Sequence, residues 1–170
     1  MTYYTTWANE KLNKNEITKL SKDGLTIFDD FPNIINKPWE EISKDYYMYF
    51  KYAGLTVQKP QTDGMFMLRV KVPAGIISVA QAQMLARLGI KRGGGFLDIT
   101  TRQSVQYHNI KFAELLDTFS EIEAVGLTTR GAEGDINRNV IGNPLAGIDK
   151  FELFDATPTL LKVHNFFQGN

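Results

Sequence analysis

The sequence predicts an α+β fold, an antiparallel sheet with helices on one face, flanked by an N-terminal arm and a C-terminal helical segment. Three observations carry this. Phe66-Met67-Leu68-Arg69-Val70-Lys71-Val72 alternates apolar and polar residues with the two-residue period of a strand, between Gly64 and Pro73. Ser78–Leu88 and Phe112–Val125 repeat apolar residues at helical spacing instead. Gly93-Gly94-Gly95 then turns the chain into further extended segments. Strand, helix, strand, strand, helix is the order of a ferredoxin-like sandwich.

Taken in order, residues 1–45 read as the arm. They are polar and lysine-rich, with Trp7 and Trp39 as isolated anchors and Pro32 and Pro38 as breakers. A helix is expected around Asn9–Leu20, then an irregular stretch lying along a larger body. Residues 46–130 form the compact part, with strands at 66–72, 96–101 and 104–110. Ser78 is the expected cap of the first covering helix, which turns Ala80, Met84, Leu85 and Leu88 inward. Phe112, Leu115, Leu116, Phe119 and Ile122 form the buried stripe of the second. Residues 131–170 run through a glycine- and asparagine-rich loop into a helix around Thr159–Phe167. There Leu160, Leu161, Val163, Phe166 and Phe167 await burial, so a missing partner is expected.

Composition narrows the function. A chain of 170 residues with 43% hydrophobic content is long enough for one ordinary core. Nineteen basic and nineteen acidic side chains cancel, so no global field draws it to nucleic acid or an acidic membrane. With no cysteine, the chain supplies no disulfide, no thiolate zinc site and no cluster ligand. No apolar run reaches membrane-spanning length, and a cytoplasmic location is the expectation. No metal site is expected either: Asp135, Asn137 and Asn139 do not have the spacing of a calcium loop. Gly93-Gly94-Gly95 lacks the lysine and hydroxyl residue of a phosphate-binding loop.

Most functional information sits in Thr100-Thr101-Arg102-Gln103-Ser104-Val105-Gln106-Tyr107-His108. Read as extended chain, it puts Thr100, Arg102, Ser104, Gln106 and His108 on one face, and the stretch after Asp98 has no carboxylate. A cation, hydroxyls, amides and an imidazole together suit a polyanionic ligand. Gly134-Asp135-Ile136-Asn137-Arg138-Asn139-Val140 adds another arginine in a polar loop. Taken singly, these residues have blander readings. A lone arginine on a strand, such as Arg69, is usually solvated or salt-bridged, and Lys71 on the same face extends a wet surface. His108 alone suggests a structural hydrogen bond, as does His164.

From about Tyr49 to Asn170 the sequence resembles the N-terminal portion of the siroheme-dependent nitrite and sulfite reductases. The matching marks are Lys51-Tyr52-Ala53-Gly54-Leu55, Gln58, Met67–Pro73, Thr100–His108, and Gly134–Pro144 followed by Ala146-Gly147-Ile148-Asp149. The resemblance implies six-electron reduction of nitrite to ammonia, or of sulfite to sulfide, with electrons from a ferredoxin or flavoprotein. The cofactors it implies are siroheme, an iron macrocycle bearing many carboxylates, and a 4Fe-4S cluster whose cysteine ligands are absent from this chain. By the same resemblance, Arg69 and Arg138 bind the substrate anion as catalytic residues, while Gln58, Thr100, Arg102, Gln106, His108 and Asn139 hold the macrocycle. Guanidinium suits the first role because it stays charged and donates in a fork.

Three departures accompany the likeness. Thr56 stands where some members have tyrosine, Glu133 where many have cysteine, and Asp98 where the family has a further arginine. The expectation is a truncated or split half of a reductase, with residues 131–170 beginning the siroheme and cluster domain and the remainder of the enzyme as partner. The Gly142-Asn143-Pro144 turn and the Ala146–Asp149 segment look slightly more like those of the assimilatory nitrite reductases than of the sulfite reductases. The alternative is a non-catalytic module of the same fold that binds a tetrapyrrole or a protein.

Overall fold

Phe66, Leu68 and Val70 are fully buried while Met65, Met67 and Arg69 between them are not, the pattern of a strand with one face on a core. The computed structural model describes residues 12–168. Its sheet has four strands, β1 (Leu55–Val57), β2 (Met65–Val70), β3 (Asp98–Ile99) and β4 (Val105–Lys111), in the order β1-β2-β4-β3. Every pairing is antiparallel. Leu55 faces Leu68 on one side of β2 and Arg69 faces Gln106 on the other. The register shifts between Phe66 and Leu68, a bulge that absorbs one residue of β4.

Two helices cover the core face. Ser78 opens α4 (Val79–Lys91) with a capping box, its hydroxyl accepting from the Gln81 N–H and the Gln81 side chain accepting from the Ser78 N–H. Met84, Leu85 and Leu88 point inward, but Ala80 is exposed, because the helix only meets the sheet beyond its first turn. Tyr107 of β4, fully buried, donates its hydroxyl to the Leu85 carbonyl at 2.8 Å. A single 3-10 turn at Phe112–Glu114 precedes α5 (Leu115–Glu123), which buries Leu115, Phe119 and Ile122. Leu116, expected inside, is 37% exposed; Thr118 takes the inward place and accepts from Arg92 Nη1 at 2.8 Å. The chain after α5 adds one antiparallel bridge, Thr128 to Lys71, where a ferredoxin-like fold would place its last strand.

The segment expected to be irregular is helical. After α1 (Lys14–Ser21), α2 (Ile27–Ile34) buries Ile27, Phe31 and Ile34, spaced four and three residues apart. Pro32 sits within α2 without ending it. Phe31 stacks on Phe50 of α3 (Tyr46–Phe50) at 5.8 Å and tilts against Phe119 at 5.3 Å. Trp39 packs on Tyr47, Phe66 and Phe112 and donates Nε1–H to the Gln61 carbonyl. Trp7 and the start of the expected helix at Asn9 lie outside the described residues. The terminal helix α6 (Thr157–Gln168) forms near its expected bounds, yet none of its residues is buried. Among the described residues no helix is long and apolar enough to cross a membrane.

Candidate functional site

The face of the sheet opposite α4 and α5 carries the polar residues. Because side chains alternate, Thr56 of β1, Met67 and Arg69 of β2, Gln106 and His108 of β4, and Asp98 of β3 lie on this open face. Gly54 permits the approach of β1. Its φ is +79°, and a Cβ there would lie 2.7 Å from the Arg69 carbonyl and 2.8 Å from that of Thr129.

Arg69 and Gln106 form the centre. With the Gln106 amide turned so that its oxygen meets the guanidinium, Arg69 donates to it from Nε at 3.0 Å and Nη2 at 2.5 Å. That leaves Nη1 of Arg69 and the two amide hydrogens of Gln106 for a ligand. Arg69 is half-buried, which sharpens its field relative to a solvated arginine.

His108 belongs to a closed relay at the far side of the face. Gln58 Oε1 accepts the Asn109 N–H at 2.7 Å, so Gln58 Nε2 is the atom that meets His108 Nδ1, at 3.1 Å. Nδ1 is therefore an acceptor and the ring proton sits on Nε2, 3.1 Å from Asp98 Oδ2. Phe96 stacks on the ring at 6.1 Å. Both ring nitrogens and both ends of Gln58 are spoken for.

Thr100, Arg102 and Asn139 meet elsewhere, because residues 100–104 are a tight turn and not extended chain. Gln103 has φ +52°, and the Thr100 hydroxyl accepts from the Arg102 and Ser104 N–H groups, each at 3.2 Å. Ser104 is buried, so the expected single face from Thr100 to His108 is broken; only Gln106 and His108 share it. Asn139 Nδ2 donates to the carbonyls of Val72, Arg102 and Gln103 at 2.9, 2.9 and 3.2 Å. Its Oδ1 is shielded and has no partner among the described residues. Gln103 clamps Gly142 with two bonds of 3.0 Å. Together they present Arg102, which is exposed and has no acidic partner within ion-pair reach among the described residues.

Arg138 occupies a third place. Its Nε donates to the Gly134 carbonyl at 3.1 Å, and the guanidinium lines a pocket of about 220 Å³ with Lys51, Tyr52 and Glu133. Glu133 accepts the Thr56 hydroxyl at 2.7 Å, joining this loop to the open face. Arg69 and Arg138 share no hydrogen bond among the described residues.

Sequence reasoning missed two contributors. Lys71 is 4% exposed instead of wet, because the loop through Gly131 and Asn137 and the end of α6 cover its ammonium. Its Nζ donates to the Asn137 carbonyl at 3.0 Å and reaches Gln168 Oε1 at 3.4 Å, and burial lowers its pKa from 10.5 to about 8. His164 on α6 is held below its ordinary value by burial and then by the Lys71 charge. Gln103 read as part of extended chain, and its role rests on the distant loop at Gly142.

Residues 57–125 match the family model described as the nitrite/sulfite reductase ferredoxin-like half domain. The chain is 34% identical over 168 residues to the ferredoxin–nitrite reductase of Leptolyngbya laminosa, covering 96% of this chain and 32% of that protein. It is 37% identical over 152 residues to the ferredoxin–nitrite reductase of Synechococcus elongatus, covering 88% and 30%. The solved structure of the Mycobacterium tuberculosis NirA protein superposes with a TM-score of 0.84 at 31% identity, covering 92% of this chain and 32% of that one. The chain spans about a third of the length of the curated relatives it matches.

Proposed function

From the premise that this chain belongs to the nitrite/sulfite reductases through its ferredoxin-like half domain, we propose that it serves as the anion- and cofactor-facing part of a ferredoxin-dependent nitrite reductase. The observation that carries the reading is the open face itself. A sheet that buries one side under two helices leaves Arg69, Gln106 and the Arg102 turn on or beside the other, with donors still available. Neither Arg69 nor Arg102 has a carboxylate partner within ion-pair reach among the described residues.

The donor set suits siroheme in part. Arg102, fixed by Thr100 and Asn139, and the Gln106 amide would take macrocycle carboxylates, as charge-assisted donors do. Asn139 enters as the residue that fixes the turn, since its own donors are spent on three carbonyls. The Gln58–His108–Asp98 relay suits a carboxylate poorly as it stands: its donors point at one another, and Asp98 repels. Siroheme, when bound, would supply the redox-active iron that receives electrons singly from a 4Fe-4S cluster. Both that cluster's ligands and the iron's thiolate would come from outside this cysteine-free chain.

Within this scheme Arg69 and Arg138 bind nitrite and offset the negative charge that builds as its oxygens leave. In a site closed to water, one such donor contributes roughly 3 kcal/mol to the transition state. Residues 131–170 would lead into the siroheme and cluster domain. The test is reduction of nitrite by the complete, cofactor-loaded reductase bearing this chain, with reduced ferredoxin as donor. Formation of ammonia is the expected result. A protein that binds no tetrapyrrole and reduces neither nitrite nor sulfite would overturn the reading.

A further inference from the structure

The loop that carries Arg138 presents two carboxylates, and only one of them is neutralised. Asp135 forms an ion pair with Lys19. Glu133 has no cation within ion-pair reach among the described residues; it is held by the Thr56 hydroxyl of β1 at 2.7 Å, across 77 positions of sequence. Glu133, Asp135, Lys51 and Arg138 line one small pocket of about 220 Å³. With Asp135 offset by Lys19, an anion entering it is drawn by two cations and repelled by the one unpaired carboxylate, Glu133. Attraction grows linearly with the anion's charge, whereas the cost of stripping its water grows with the square. A carboxylate that trims the field therefore penalises a dianion more than a monoanion.

Building on the anion-binding role proposed for Arg138, we infer that Glu133, held in place by Thr56, is a charge selector that makes this site favour singly charged oxyanions over doubly charged ones. Nitrite carries one charge; sulfite in mildly alkaline solution carries two. The residue thereby sets the preference between nitrite and sulfite at this site. Thr56 acts as a positioning residue: its hydroxyl fixes where the negative charge sits.

The complete, cofactor-loaded reductase bearing this chain is titrated separately with sodium nitrite and sodium sulfite in mildly alkaline buffer at constant ionic strength. The visible absorption of the bound siroheme reports anion binding, and the siroheme content of each variant reports an intact fold. Glu133→Gln keeps an acceptor for Thr56 and removes the charge. It is expected to tighten sulfite by at least about threefold more than nitrite, the effect of one unit charge across a pocket of this size. Thr56→Val, which frees the carboxylate without removing it, should shift the ratio less, and Thr56→Ser should keep the original ratio. If Glu133→Gln tightens both anions equally, or neither, while the unaltered enzyme binds nitrite, the selector role is wrong and the anion site stands. If neither anion shifts the siroheme absorption in any variant, the anion-binding role fails and takes the selector with it.

Discussion

Lys71→Met tests the energetics of the most costly charge in the fold. Lys71 is 4% exposed, its ammonium meets two neutral oxygens and no carboxylate among the described residues, and burial brings its pKa from 10.5 to about 8. That fall corresponds to about 3 kcal/mol of destabilisation when the folded chain must keep the proton. The unfolded lysine binds its proton up to about pH 10.5, whereas the folded one releases it near pH 8. In this window the unfolded state holds more protons, so stability rises with pH. Between pH 7 and pH 10 the lysine protein should gain about 2 kcal/mol relative to Lys71→Met, after discount for the oxygens that favour the charged form. The methionine protein should be the more stable at pH 7 if desolvation outweighs the two hydrogen bonds. Urea unfolding of both proteins at pH 7, 8, 9 and 10 measures the difference, and groups common to both cancel. A difference that stays flat across this range would refute the argument and show that Lys71 keeps its proton throughout.

Other outcomes follow from the same geometry. Gln103→Ala removes both bonds to Gly142 and should cost about 1–3 kcal/mol in thermal or urea unfolding, with Gln103→Glu losing the amide donor but not the acceptor. Asp98→Asn removes the repelling charge beside His108 and should raise siroheme retention of the complete reductase about tenfold, measured as bound tetrapyrrole after dialysis. The chain alone should bind a hydrophobic dye and self-associate in sedimentation, because Phe151, Leu153, Phe154 and Phe166 are 79, 97, 72 and 65% exposed. A dye-silent monomer would instead favour a self-contained module.

The legible parts of the fold were those with strong local periodicity. The alternation of Phe66, Leu68 and Val70 and the caps and stripes of the two covering helices rest on contacts that short windows of sequence encode. The i, i+4, i+7 spacing of Ile27, Phe31 and Ile34 was equally visible, but Pro32 masked it; a proline late in a short helix costs one bond and leaves the buried face intact. Strand β1, three residues long, carries too little pattern to read and exists because β2 offers it an edge. The turn at residues 100–104 defeated the period-two reading because Gln103 adopts positive φ where no glycine announces it. Its stabilisers, Asn139 and Gly142, lie nearly forty residues away. For the site, residue types pointed to an anionic ligand. The partnerships of Thr56 with Glu133 and of His108 with Asp98 are long-range facts that only the fold supplies.

In the proposed division of roles Arg69 on the open sheet face serves the substrate and Arg102 on the turn beside it holds the cofactor, and Arg69→Ala compared with Arg102→Ala in the complete reductase separates the two. Siroheme content, read from its visible absorption, and nitrite turnover are measured on the same preparations. Arg69→Ala should keep its siroheme and lose at least about a hundredfold in turnover, with Arg69→Lys recovering only part because a single ammonium lacks the fork. Arg102→Ala should lose siroheme, and its turnover per siroheme retained should stay near that of the unaltered enzyme. Full siroheme and full turnover in both variants would contradict the account.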